Sequence, residues 1–333
     1  MTHKLPITRR RMLQISAAAG GMALIPAGGP WASANQPLVW RGIALGAPAS
    51  IKLYSPAIGD ARKTLERAIA ELRRLEGVFS LYLPESALSR LNRHGELRYP
   101  PLELVGLFSQ AKAIAFETGG AFDPTIQPLW ALYAEHFART PSAVSGPPPA
   151  EIARVLGRVD YRAIELSAER IAFRRRGMAA SLNGIAQGYI TDRVADILRE
   201  AGFGQVLIDL GEPRALGTHP SGRPWRVGVR APDGAGIIRR MEIIDKAVAT
   251  SAPLGTPFEP TGRFHHLLDP RTGESAGNYE SVTVTARNAT LADGFSTAFS
   301  AMAWDDVLRI VRRSGALRVD ALGVGGEALS AVR

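Results

Sequence analysis

SLNGIAQGYITDRVADILREAGFGQVLIDLG, residues 181–211, decides how the rest of the chain is read. A loop with glycines at 184 and 188 leads into residues 189–201, where Ile190, Val194, Ile197 and Leu198 recur on one helical face. Gly202 is a helix stop, and Val206, Leu207 and Ile208 make a short apolar strand. A repeating helix–strand unit would predict a doubly wound fold, but this one does not repeat. Residues 225–229 and 280–285 alternate as half-buried strands do, and two helices, 291–302 and 304–313, close the chain. Upstream, residues 39–54 read as a first strand or hairpin, and 163–173 as paired strands turning near Ser167. Amphipathic helices are predicted over 61–77 (Leu65, Ala68, Ile69, Leu72, Leu75) and 102–118 (Leu104, Phe108, Ala111, Ala115). A short helix passes through Leu88 and Leu91, and residues 139–149, rich in Pro and Ser, form a surface loop. Strands and helices mixed without a regular period predict an α+β fold with mixed sheets and flanking helices.

The N-terminus has a different character. Arg9, Arg10 and Arg11 precede an apolar run from Ile15 to Ile25, and Ala32-Ser33-Ala34 offers a small-residue cleavage site. Residues 1–34 therefore read as a twin-arginine signal peptide, with the mature chain beginning near Asn35 and folding before export. Its removal takes the balance from 40 basic and 31 acidic residues to 36 and 31, a net charge of +5 rather than +9. That excess favours anionic ligands without implying nucleic acid. With no cysteine, thiolate nucleophiles, Cys-ligated zinc, disulfides and an N-terminal lipid anchor are excluded. No later segment supplies the roughly 20 continuous apolar residues of a membrane helix. A soluble periplasmic protein is expected; its oligomeric state is not legible.

Four segments can carry chemistry. Asp293 and Thr297 lie four apart on a predicted helix, so a carboxylate and a hydroxyl, both hard oxygen donors suited to Mg²⁺, can face one point. A helix-start role for Asp293 and a bond from Thr297 to its own helix explain the spacing equally. The glycine loop permits close backbone approach, and the helix after it presents free N–H groups, but it lacks the Gly-Lys-Ser/Thr ending of a phosphate-binding loop. His265 and His266 stand before Leu-Leu-Asp-Pro-Arg-Thr-Gly; a neutral imidazole there can take a proton from a hydroxyl, or simply bond to backbone. Asp123, after Phe122 and before Thr125, can hold a turn or a ligand hydroxyl, while Trp130 and Tyr133 read as core. Ser86, Ser89 and Asn92 can bind a ligand or cap a helix.

Together these segments resemble the ApbE family of FAD:protein FMN transferases. The resemblance rests on FSLYLPESALSRLN (79–92), GGAFDPTIQPLWAL (119–132), LNGIAQGYITDRVADIL (182–198), VLIDLG (206–211), PWRVGV (224–229), VATSAPLGT (248–256), HHLLDPRTG (265–273) and ATLADGFSTAFSAM (289–302), in the family's order. It implies one domain over 35–333 that cleaves FAD, places FMN on a Thr or Ser of a target flavoprotein and releases AMP. It implies Mg²⁺ held by Asp293, Thr297 and the carbonyl of Gly184, with flavin or adenine contacts from Ser86, Ser89, Asn92, Phe122, Asp123, Thr125, Gln187 and His266. His266 matches the position of a general base. The acceptor implied is a periplasmic or membrane-linked flavoprotein. LNGIAQGY looks most like the NosX-like branch associated with nitrous-oxide reductase maturation. Three positions depart from the family: Ser181 replaces the usual Asp, Gln187 a Lys or Glu, and Asp209-Leu210-Gly211-Glu212-Pro213 the usual Asn-Leu-Gly-Gly-Asp. These departures leave two alternatives beside transfer, an FAD hydrolase giving FMN and AMP, and a non-enzymatic flavin-binding assembly factor.

Overall fold

The computed structural model describes residues 36–44, 46–231 and 236–333, so the targeting segment lies outside the described residues. Its centre is an eight-stranded sheet in the order β1 (Leu38–Ala44), β2 (Ala47–Leu53), β6 (Val206–Asp209), β7 (Pro213–Leu216), β10 (Ala247–Ser251), β11 (Tyr279–Ala286), β12 (Ala316–Gly323) and β13 (Ala328–Val332). Every pairing in it is antiparallel. A three-stranded sheet joins β3 (Glu96–Arg98), β5 (Arg170–Phe173) and β4 (Ile164–Leu166), and β8 (Trp225–Arg230) pairs with β9 (Ile237–Ile243) as a hairpin. The α+β expectation holds.

Alternation along the strands assigns each face. Val206 and Ile208 of β6 join the main core, whereas Leu207 packs with Trp225, Val227 and Met241 of the hairpin. The main core is roofed by α1 (Ile58–Phe79), α2 (Ala87–His94), α3 (Leu102–Glu117), α6 (Ala186–Glu200) and α7 (Ala289–Ser300), which contribute Leu72, Leu91, Phe108, Ile190 and Phe295. The last helix, α8 (Trp304–Val311), adds Val307 and Ile310.

Two helices exceed the sequence reading: α4 (Gln127–Arg139) and α5 (Pro149–Leu156), the latter starting where the predicted Pro-rich loop ends. Leu129, Tyr133 and Phe137 lie on one face of α4 and pack on Phe258 and Leu268, more than a hundred residues away in sequence. Trp130 also packs against this cluster, so both predicted core aromatics are core. Strand β10 escaped the sequence reading because its small residues are buried on both faces: Ala247 and Ala249 meet α7, and Val248 meets the hairpin.

Candidate functional site

The site is organised around α7. Asn288 caps the helix by accepting from the N–H of Leu291, and Asp192 of α6 accepts from the N–H groups of Ala289 and Thr290. Asp192 also pairs with the buried Arg214 of β7, so helix, neighbouring helix and sheet share one buried carboxylate. Helices α6 and α7 cross where Gly188 meets Ala289. A Cβ on Gly188 would stand 2.3 Å from the Ala289 carbonyl oxygen, so only glycine permits this approach.

That crossing sets Asp293 and Thr297 each against the Gly184–Gly188 segment. The N–H of Gly188 donates to Oδ2 of Asp293 at 3.0 Å, and Oγ1 of Thr297 lies 3.4 Å from the Gly184 carbonyl oxygen. Thr297 therefore turns toward the glycine loop rather than to its own helix. Asp293 is buried, and burial first, then the charge of Asp192, raise its carboxyl to about 7 against the opposing Gly188 bond.

The remaining segments hold this loop in place. Asn92 bonds the backbone of Ala180 twice, at 2.8 and 2.7 Å, and the N–H of Ser181 donates to Pro124 at 2.8 Å. Asp123 accepts from the N–H and hydroxyl of Thr125 and from the N–H of Tyr161, while Thr125 Oγ1 accepts from the N–H of Asp160. Phe122 is part of the main core. Ser86 caps α2 by accepting from the N–H of Ser89, and both hydroxyls donate to the Ser80 carbonyl. In the protein alone, Asn92 and Pro124 hold the segment that leads into the loop, while Ser86, Ser89, Asp123 and Thr125 bond within their own turns and to residues 160–161. Gln187 packs over Gly211, whose φ of +107° favours glycine and whose added Cβ would lie 2.7 Å from the Gln187 amide nitrogen.

The two histidines divide their roles. His265 is buried, its Nε2 2.9 Å from the Ala276 carbonyl oxygen and its Nδ1 without a hydrogen-bond partner. His266 places Nδ1 3.2 Å from the Thr256 carbonyl oxygen; the tautomer that donates this bond leaves Nε2 as an acceptor. His266 keeps some exposed surface, yet the protein around the ring outweighs it: desolvation, then His265, hold the ring down to about 4, so it is neutral near pH 7. The loop is tied to α7 at two points. Ser251, at the end of β10 before Thr256, meets Ser296 at 2.9 Å, and Arg271 donates to the Ala301 carbonyl at 2.6 Å.

Sequence reasoning missed Glu212. It lies in the turn between β6 and β7, is 8% exposed, and its Oε2 has no hydrogen-bond partner. Burial, then the charges of Asp293 and Asp209, push its carboxyl well up. The available signal was an acid directly after the glycine of the strand exit, at a position already marked as a departure.

The ApbE family model matches residues 45–321, which takes in every one of these segments. The chain belongs to the ApbE family. It is similar to the FAD:protein FMN transferase of Vibrio cholerae, with 30% identity over 78% of this chain and 80% of that one. The corresponding protein of Treponema pallidum is 29% identical over 81% of this chain and 80% of its own length. Among solved structures, the ApbE protein of Thermotoga maritima superposes with a TM-score of 0.79 at 29% identity, covering 88% of this chain and 96% of that one. The flavin transferase ApbE from Vibrio cholerae, at 23% identity and a TM-score of 0.77 over 89% and 97% of the two chains, shares the fold.

Among the described residues, no three His, Cys, Asp or Glu side chains form a ready metal cluster. The donor set here has another composition: one carboxylate, one hydroxyl and one carbonyl, the last two 3.4 Å apart. Such a set fits Mg²⁺, which commonly takes one or two carboxylates and completes its octahedron with substrate phosphate and water.

Proposed function

We propose that this ApbE-family chain, with Mg²⁺ at Asp293, Thr297 and the Gly184 carbonyl, moves FMN from FAD to a Thr or Ser hydroxyl of a flavoprotein and releases AMP. The observation that carries this reading is the double contact of the glycine loop and the first turn of α6 with α7, Gly184 to Thr297 and Gly188 to Asp293. When bound, Mg²⁺ would offset the negative charge of the pyrophosphate. The chain's own residues supply the rest. The glycines admit FAD and acceptor backbone closely, and Gln187, beside Gly211, offers an amide donor toward phosphate oxygen. His266 is the general base: its free Nε2 takes the hydroxyl proton as the acceptor oxygen bonds to the FMN phosphorus and the bond to AMP breaks. Asn92 positions the segment leading into the loop, and Ser86, Ser89, Phe122, Asp123 and Thr125 belong to the flavin or adenine side.

The same reading places the mature protein in the periplasm after twin-arginine export, acting on a membrane-linked flavoprotein. The LNGIAQGY loop supports assignment to the NosX-like branch. N-terminal sequencing of periplasmic protein from the native host should give a start near Asn35; an intact Met1 in the cytosol would refute export.

The deciding assay is incubation with FAD, Mg²⁺ and a candidate acceptor, followed by intact mass. Transfer adds one FMN to the acceptor and is lost when its Thr or Ser is changed to Ala. Free FMN and AMP without labelled acceptor would instead mean hydrolysis, and FAD binding without turnover an assembly role.

A further inference from the structure

Resting on the Mg²⁺ reading above, we propose that Glu212 is a second carboxylate of the cation site, so that two acidic side chains, Asp293 and Glu212, face the bound metal. Glu212 follows Gly211 in the turn between the interior strands β6 and β7, and Gly211 touches Gln187 in the first turn of α6, three residues after Gly184. The N–H of Thr250 donates to the Glu212 carboxylate, and its Oε2 is buried without a partner. Thr250 belongs to β10, and the next residue, Ser251, contacts Ser296 on α7, between Asp293 and Thr297. Glu212 is thus joined through β10 to α7, and its carboxyl lies close enough to Asp293 for the two groups to act on each other.

The charges around it are one-sided. The groups whose charge acts on Glu212 are Asp293 and Asp209, both acidic, and the nearby Arg214 is engaged by Asp192. An unbonded carboxylate oxygen buried among like charges is costly in an empty protein and favourable beside a divalent cation.

The test uses the full mature chain and Mn²⁺ as a spectroscopic probe, titrated by electron paramagnetic resonance, with thermal unfolding measured with and without Mg²⁺. Glu212→Gln keeps shape and removes charge. It should weaken Mn²⁺ binding about 10- to 100-fold, raise the melting temperature of the metal-free protein, and shrink the gain that Mg²⁺ confers. Asp293→Asn is the reference. If Asp293→Asn loses Mn²⁺ binding while Glu212→Gln binds as wild type, Glu212 is no ligand and the Asp293 site stands. If both bind as wild type, the Mg²⁺ reading itself fails. Should Glu212→Gln not fold, Glu212→Asp decides: weakened Mn²⁺ binding supports the proposal, and wild-type affinity overturns it.

Discussion

The backbone N–H of Gly188 donates to Oδ2 of Asp293 at 3.0 Å, joining residues 105 apart in sequence. This bond holds a buried carboxylate beside the loop whose Gly184 carbonyl meets Thr297. Asp293→Asn keeps the size and removes the charge. Turnover should fall about 100-fold, corresponding to roughly 3 kcal/mol of transition-state stabilisation. Thr297→Val should cost less, because water can replace a neutral oxygen. Rates measured against Mg²⁺ concentration check both; an unchanged rate and Mg²⁺ midpoint in Asp293→Asn would refute the site.

The helix crossing is equally testable. Gly188→Ala drives a methyl against the Ala289 carbonyl, which is backbone and cannot rotate away. A loss of about 1–3 kcal/mol of stability is expected from overpacking, with turnover reduced as Gly184 and Thr297 separate. Urea unfolding and steady-state kinetics on the same variant should show both effects.

Arg214 and Asp192 form a buried ion pair beneath the start of α7. Arg214→Met leaves Asp192 charged and buried, a change that costs about 3 kcal/mol or more. The N–H groups of Ala289 and Thr290 still bond Asp192, so the helix should remain capped. Denaturant melts should show the loss, and circular dichroism should show helix content retained.

His266 gives a pH signature of defined sign. Its folded value, about 4, lies below the ordinary 6.5. Above 6.5 the ring is neutral in both folded and unfolded chains. As pH falls from 6.5 toward 4, the unfolded chain takes a proton that the folded chain refuses, so stability drops. His266→Gln should therefore lose less stability than wild type between pH 7 and pH 5 in urea melts. His266→Ala should slow transfer while keeping Mg²⁺-dependent FAD binding; at saturating Mg²⁺, which outcompetes the proton on Asp293, the wild-type rate should fall as the ring protonates toward pH 4.

Several features were legible in the sequence because they are local. Leu65, Ala68, Leu72 and Leu75 disclose α1 by period alone, and four-residue spacing places Asp293 and Thr297 on one face of α7. Gly184 and Gly188 announce close backbone approach without naming what approaches. Only the tertiary structure decides that Gly188 meets Ala289, that Thr297 points to Gly184, that His265 is buried against Ala276 while His266 keeps some exposed surface, and that Glu212 stands near Asp293. Each of these depends on contacts between distant segments, and desolvation, which sets the charge of Asp293 and Glu212, is a property of what surrounds a side chain rather than of its neighbours in the chain.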